Sequence, residues 1–172
     1  LALEEPRRVS RLVLIGAPLY PHNAPRILWT MRRPVIGRLF ELLMGRWTVK
    51  LVAPTAFLDR SLITEEVVEE YSLALRHRAG RRAVAEILRR ALTPEIAGLI
   101  ARYRELVLPV LCIRGDHDGV VDDESSERFC RTVPSGRFLR IPACGHVPQE
   151  ENPGAVKEAV ADFLRSAAPD VP

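Results

Sequence analysis

The 172 residues are 47% hydrophobic and 27% charged, with a formal net charge of +3. That balance describes a folding globular chain and excludes a disordered one. No apolar run approaches the roughly 18 residues that a membrane span requires, so a spanning helix is excluded as well. The basic surplus is mostly arginine, with Lys only at 50 and 157. Its densest stretch, Arg76–Arg90, contains no aromatic residue and alternates with Val84, Ile87 and Leu88. Nucleic-acid binding would interleave stacking aromatics with such charge, so this stretch reads as a solvated helix face.

In chain order, Leu1–Glu5 reads as a helix end stopped by Pro6. Arg11–Ile15 follows, an unbroken apolar run closed by Gly16-Ala17-Pro18, as a parallel strand covered on both faces would be. Residues 19–107 are helical and contain no credible strand. Pro34 opens one helix running to Met44. Thr64 caps another that carries Val67, Tyr71, Ala74 and Leu75 on one face. A third carries Val84, Ile87, Leu88, Ala91 and Leu92, and Thr93-Pro94 starts a fourth. From Leu108 onward strand and helix alternate: strand 109–113, a helix near 124–132, strand 137–141, and a last helix near 154–166. That alternation predicts parallel strands with right-handed crossovers.

Two short motifs stand at the ends of the last two strands: Gly115-Asp116-His117-Asp118 and Gly145-His146-Val147-Pro148. A carboxylate and an imidazole there, 28 residues apart, suit a proton relay that activates a third group. No Gly-x-Ser-x-Gly turn presents that group. The serines at 10, 61, 72, 125, 126, 135 and 166 all lie in other contexts. The chain also opens in mid-pattern at Leu1, and a three-stranded parallel sheet leaves an apolar edge uncovered. The expectation is the C-terminal half of an enzyme, inactive alone.

Other chemistries fit less well. The acidic run Asp116–Glu127 lacks the glycine that a calcium loop needs at its sixth position, which is Val121 here. No metal and no cofactor are expected. Cys112, Cys130 and Cys144 form no Cys-x-x-Cys and cannot all pair, which suits a reducing compartment and a cytoplasmic location. Cys112 reads as a core residue. Cys144, two residues before His146, reads as packing, with a reactive thiol as the alternative. His22, His77 and His117 read as structural.

Taken in order, these residues resemble the α/β-hydrolase superfamily. Leu1–Ala17 looks like the end of the helix after the nucleophile elbow, followed by the sixth strand. Residues 109–121 look like the seventh strand and acid loop, and 141–153 like the histidine loop. The resemblance implies an α/β fold with an inserted helical cap: core at 1–18 and 108–172, cap at 19–107. It makes Asp118 the acid and His146 the base, with Asp116 as a less suitable acid. Glu151 and Pro153 also match the family's histidine loop. Gly119 departs from the proline that commonly follows the acid.

The cap would supply a substrate pocket from Trp29, Phe40, Leu43, Trp47 and Phe57, suited to a small apolar ester. The implied activity is that of a serine esterase or lipase-like enzyme whose nucleophile lies outside this chain, in a missing N-terminal half. An aspartate nucleophile acting on epoxides or haloalkanes, and C–C bond hydrolysis, fit the same two residues. A non-catalytic ligand-binding relative is the alternative of another class. No nucleic acid is expected as a partner, and no membrane span is expected.

Overall fold

The computed structural model describes residues 1–20, 33–90 and 94–166. Three parallel strands form its sheet: β1 (Leu12–Ile15), β2 (Val110–Gly115) and β3 (Gly136–Ile141), in the order β1-β2-β3. Leu12 pairs with Val110, and Val110 in turn with Gly136. The expected parallel topology is therefore present, with all six β2 residues buried at its centre. β1 forms one edge, and its four residues are only half-buried.

Helices α1 (Pro34–Leu43), α2 (Arg46–Ala56), α3 (Glu65–Ser72), α4 (Arg78–Arg90) and α5 (Pro94–Ala101) separate β1 from β2. After β2 come α6 (Asp123–Thr132), then β3, the short α7 (Pro148–Glu151) and α8 (Pro153–Arg165). Local signals explain several boundaries. Thr64 caps α3 by accepting from the Val67 amide at 3.3 Å, as the sequence predicts. Asp122 accepts from the Ser125 amide to start α6, and Asn152 from the Ala155 amide to start α8.

The first residues differ from the expected helix end. Leu1–Glu5 is a single turn held by the Glu4 and Glu5 amides on the Leu1 carbonyl, followed by a 3-10 turn at Pro6–Arg8. Helix α2 falls within the stretch expected to be helical, and the proline inside it is Pro54. It lies in the last turn of α2, where the helix is about to end at Phe57.

Hydrophobic clusters lie on each side of the sheet and inside the helical insertion. Val110, Cys112, Phe129 and Val133 pack with Tyr20, Leu106 and Leu108. Leu111, Ile113 and Ile141 pack with Val156 and Phe163 of α8. Met44, Leu75 and Ala85 form the insertion's own core, joined by Phe40, Val49 and Val84. On α4, Glu86 pairs with Arg89 and Arg90, while Arg78, Arg82 and Arg89 line an open surface groove of about 950 Å³ facing Arg38.

At the strand ends the backbone itself is crowded. A Cβ on Gly115 would lie 2.0 Å from the Gly145 carbonyl oxygen and 2.3 Å from that of Cys144. Both obstacles are main chain and cannot swing aside. Gly115→Ala is expected to cost about 1–3 kcal/mol through overpacking. For a chain of this length that lowers Tm by about 2–4 °C per kcal/mol in a circular-dichroism melt. Gly119→Ala is the control, since a Cβ there meets nothing within 4 Å and should leave Tm unmoved.

Candidate active site

β2 and β3 end side by side, and the loops that leave them are bonded to one another. The Asp116 amide donates to the Ile141 carbonyl at 3.0 Å and the His117 amide to the Cys144 carbonyl at 2.9 Å. Asp118, on the first loop, and His146, on the second, are thereby brought together. Asp118 Oδ2 lies 3.0 Å from His146 Nδ1. The other carboxylate oxygen, Oδ1, accepts from the Val120 amide at 2.8 Å and the Val121 amide at 3.0 Å. The Asp118 side chain is fully buried, whereas that of His146 stays 24% exposed.

Burial pushes the Asp118 carboxyl up, but the bonds from His146, Val121 and Val120 more than reverse it, so it sits below its ordinary value. A carboxyl depressed by folding stabilises the native state above its unfolded value of about 3.9, and that contribution is lost as pH falls through the lower folded value. Melts of Asp118→Asn and the parent between pH 2 and 6 are expected to converge at the acid end. A constant gap across that range would remove the linkage.

Arg114, the fifth residue of β2, was not foreseen as part of the site. Its side chain is buried and spans the acid loop: Nε donates to the Val121 carbonyl and Nη2 to that of Asp118, both at 2.7 Å. Nη1 reaches Asp123 Oδ1 at 2.5 Å, and Nε stands 3.9 Å from Asp118 Oδ2. Three bonds satisfy this buried guanidinium, which closes a loop that Gly119 leaves free of side-chain constraint. An arginine inside an apolar strand is the signal in the sequence that could have singled it out.

On the opposite side, Gly16 ends β1 with φ +55°, and a Cβ there would lie 2.6 Å from the His146 carbonyl oxygen. Only glycine combines that left-handed backbone with so close an approach. The histidine loop thus lies against β1 as well as against the acid loop. Ala143, just before it, also takes a positive φ of 52°.

The remaining candidates are placed as follows. Asp116 accepts from the Cys144 amide at 3.2 Å and lies 2.7 Å from His117 Nδ1, so it is engaged away from His146. Phe40 packs into the insertion's own core, and Phe57 is buried at the end of α2. Leu43 and Trp47 are more than half exposed, with the Trp47 indole N–H on the Leu43 carbonyl. Trp29 lies outside the described residues. Burial raises the Cys144 thiol, and so, in smaller part, do the nearby Glu151 and Asp116 charges, which disfavours a thiolate. Hydrogen bonding with Cys130, then burial, raises Cys112. The hydroxyls of Ser61, Ser72 and Ser166 donate to Asp59, Val68 and Phe163 respectively, not to His146. Among the described residues no three His, Cys, Asp or Glu side chains cluster as a metal would require, and no helix is long and apolar enough to cross a membrane.

Residues 1–153 match the family model described as alpha/beta hydrolase fold. The chain belongs to that family. It is 27% identical to the uncharacterized hydrolase YugF of Bacillus subtilis, over 95% of this chain and 59% of that protein. Its fold matches a thermophilic esterase from Thermogutta terrifontis with a TM-score of 0.61 at 24% identity, covering 95% of this chain and 58% of that one. It also matches the meta-cleavage product hydrolase CumD from Pseudomonas fluorescens IP01, with a TM-score of 0.69 at 21% identity and coverage of 95% and 58%. The chain therefore spans less than two thirds of the length of each of these relatives.

Proposed function

We propose that this chain carries the acid and base of a hydrolase that attacks a carbonyl carbon, with a serine nucleophile supplied by residues outside the 172. The observation that carries the reading is the 3.0 Å contact between a buried, charged Asp118 and a part-exposed His146. With Nδ1–H held by Asp118, the tautomer is fixed and Nε2 keeps its lone pair for the nucleophile's proton. The imidazolium that forms is stabilised by the carboxylate and returns the proton to the leaving alcohol. Water then repeats the cycle on the acyl enzyme.

The substrate class we infer is a small ester with an apolar acyl or aromatic part. Supporting it are the apolar groups of the insertion, which we take to cap the sheet edge, and the esterase among the structural relatives. A C–C bond hydrolase is the second reading, favoured by the likeness to the meta-cleavage product hydrolase.

The test is to treat the complete protein with a fluorophosphonate and locate the label by mass spectrometry. A single labelled serine outside these residues, lost in His146→Ala, supports the proposal. Labelling of Ser10, Ser61, Ser72, Ser125, Ser126, Ser135 or Ser166, or none at all, overturns it.

A further inference from the structure

We infer that Glu151 is a positioning residue that ties the catalytic histidine loop to the strap 56–59 at the end of α2, so that the helical insertion and the base move as one unit. This rests on the proposed role of His146. Three main-chain amides converge on one carboxylate: Glu151 Oε2 accepts from Gly145 at 2.5 Å, and Oε1 from Leu58 at 2.7 Å and Asp59 at 2.8 Å. None of these amides has a carbonyl acceptor among the described residues. The strap answers in the other direction, since the His146 amide donates to the Ala56 carbonyl at 2.7 Å.

The fit leaves no slack. A Cβ on Gly145 would lie 2.5 Å from the Ala56 carbonyl oxygen, 2.8 Å from the Leu58 nitrogen and 3.0 Å from Glu151 Oε2. A carboxylate offers acceptors on both oxygens, whereas the amide of glutamine would turn an N–H toward one of the donors. Asp118 holds the imidazole ring, and Glu151 holds the main chain on which the ring is mounted. Neighbouring Glu150 adds a contact to the insertion through the Tyr71 hydroxyl, 3.3 Å away. Without Glu151 the strap and the histidine loop keep, among the described residues, the His146–Ala56 bond, and the ring loses its fixed distance to Asp118 and to the nucleophile.

The experiment uses the complete protein, a nitrophenyl butyrate assay, and proton NMR of the Nδ1–H resonance. Glu151→Ala is expected to lower kcat on the order of 10²-fold, the scale of a misplaced catalytic group. KM should change little, and the downfield Nδ1–H signal should broaden or vanish. Glu151→Gln should fall between parent and Ala. Leu58→Pro deletes one of the three donors while leaving Glu151 intact, and Phe57 at φ −95°, ψ 132° already has the backbone that precedes a proline. It should lower kcat in the same direction, and it decides the matter with Glu151→Gln if Glu151→Ala fails to fold. Folded Glu151→Gln and Leu58→Pro variants with parental kcat and an intact Nδ1–H signal would overturn the inference. A His146→Ala control that stays active would instead remove the underlying functional reading.

Discussion

Replacing His146 with alanine in the complete protein is expected to lower kcat toward a short nitrophenyl ester by about 10⁶-fold. That is the scale on which losing the base of a Ser-His-Asp relay equals losing the whole relay. The structure gives the reason for so large an effect. His146 is the residue bonded to the buried Asp118, and Asp116 and His117, the nearest other pair, are engaged with each other at 2.7 Å. No second imidazole stands ready among the described residues. A loss of less than about 10²-fold would mean that general-base assistance comes from elsewhere. The melt of this variant should fall modestly, because the buried Asp118 carboxylate loses its imidazole partner while keeping the Val120 and Val121 amides.

Asp118→Asn is the second large effect, expected at about 10⁴-fold in kcat, the scale on which an uncharged partner leaves the wrong tautomer in such a relay. Asparagine can still accept from Val120 and Val121 through one oxygen, so the acid loop should keep its shape. Its NH₂ would then face His146 Nδ1, forcing the proton onto Nε2, where the nucleophile's proton must go. Rate and loop geometry are thereby separated. A variant that folds, binds substrate with a parental KM and loses rate is the expected outcome of steady-state kinetics. Retention of more than a tenth of the parental kcat would show that Asp118 is a loop cap only.

Much of this arrangement is legible in the residues themselves. The runs around Val13 and Leu111 lack polar alternation, which identifies parallel strands, although only the central one is buried and the edge one is half-buried. The Gly-x-x-Asp and Gly-His spacings at their ends bring out Asp118 and His146. What stays hidden is what depends on distant partners. Glu151 meets Leu58 across 93 residues, and no local pattern encodes that contact. Gly16 and Gly115 read as ordinary turn glycines until the neighbouring histidine loop is seen to fill the space of their missing side chains. The faces of the insertion's helices are hidden for a related reason. Leu39, Leu42 and Leu43 are all more than half exposed while Phe40 between them packs inward, so apolar character on α1 does not tell which face looks where.

The central claim is that these 172 residues hold an acid and a base that act on a nucleophile held elsewhere. The most direct measurement is hydrolysis of nitrophenyl butyrate by this chain alone and by the complete protein, each with its His146→Ala variant. Background rates are expected for the chain alone, and turnover by the complete protein that disappears with His146, because a relay without its nucleophile retains little catalysis. Hydrolysis by the chain alone that depends on His146 would contradict the claim, as would a complete protein indifferent to the loss of His146.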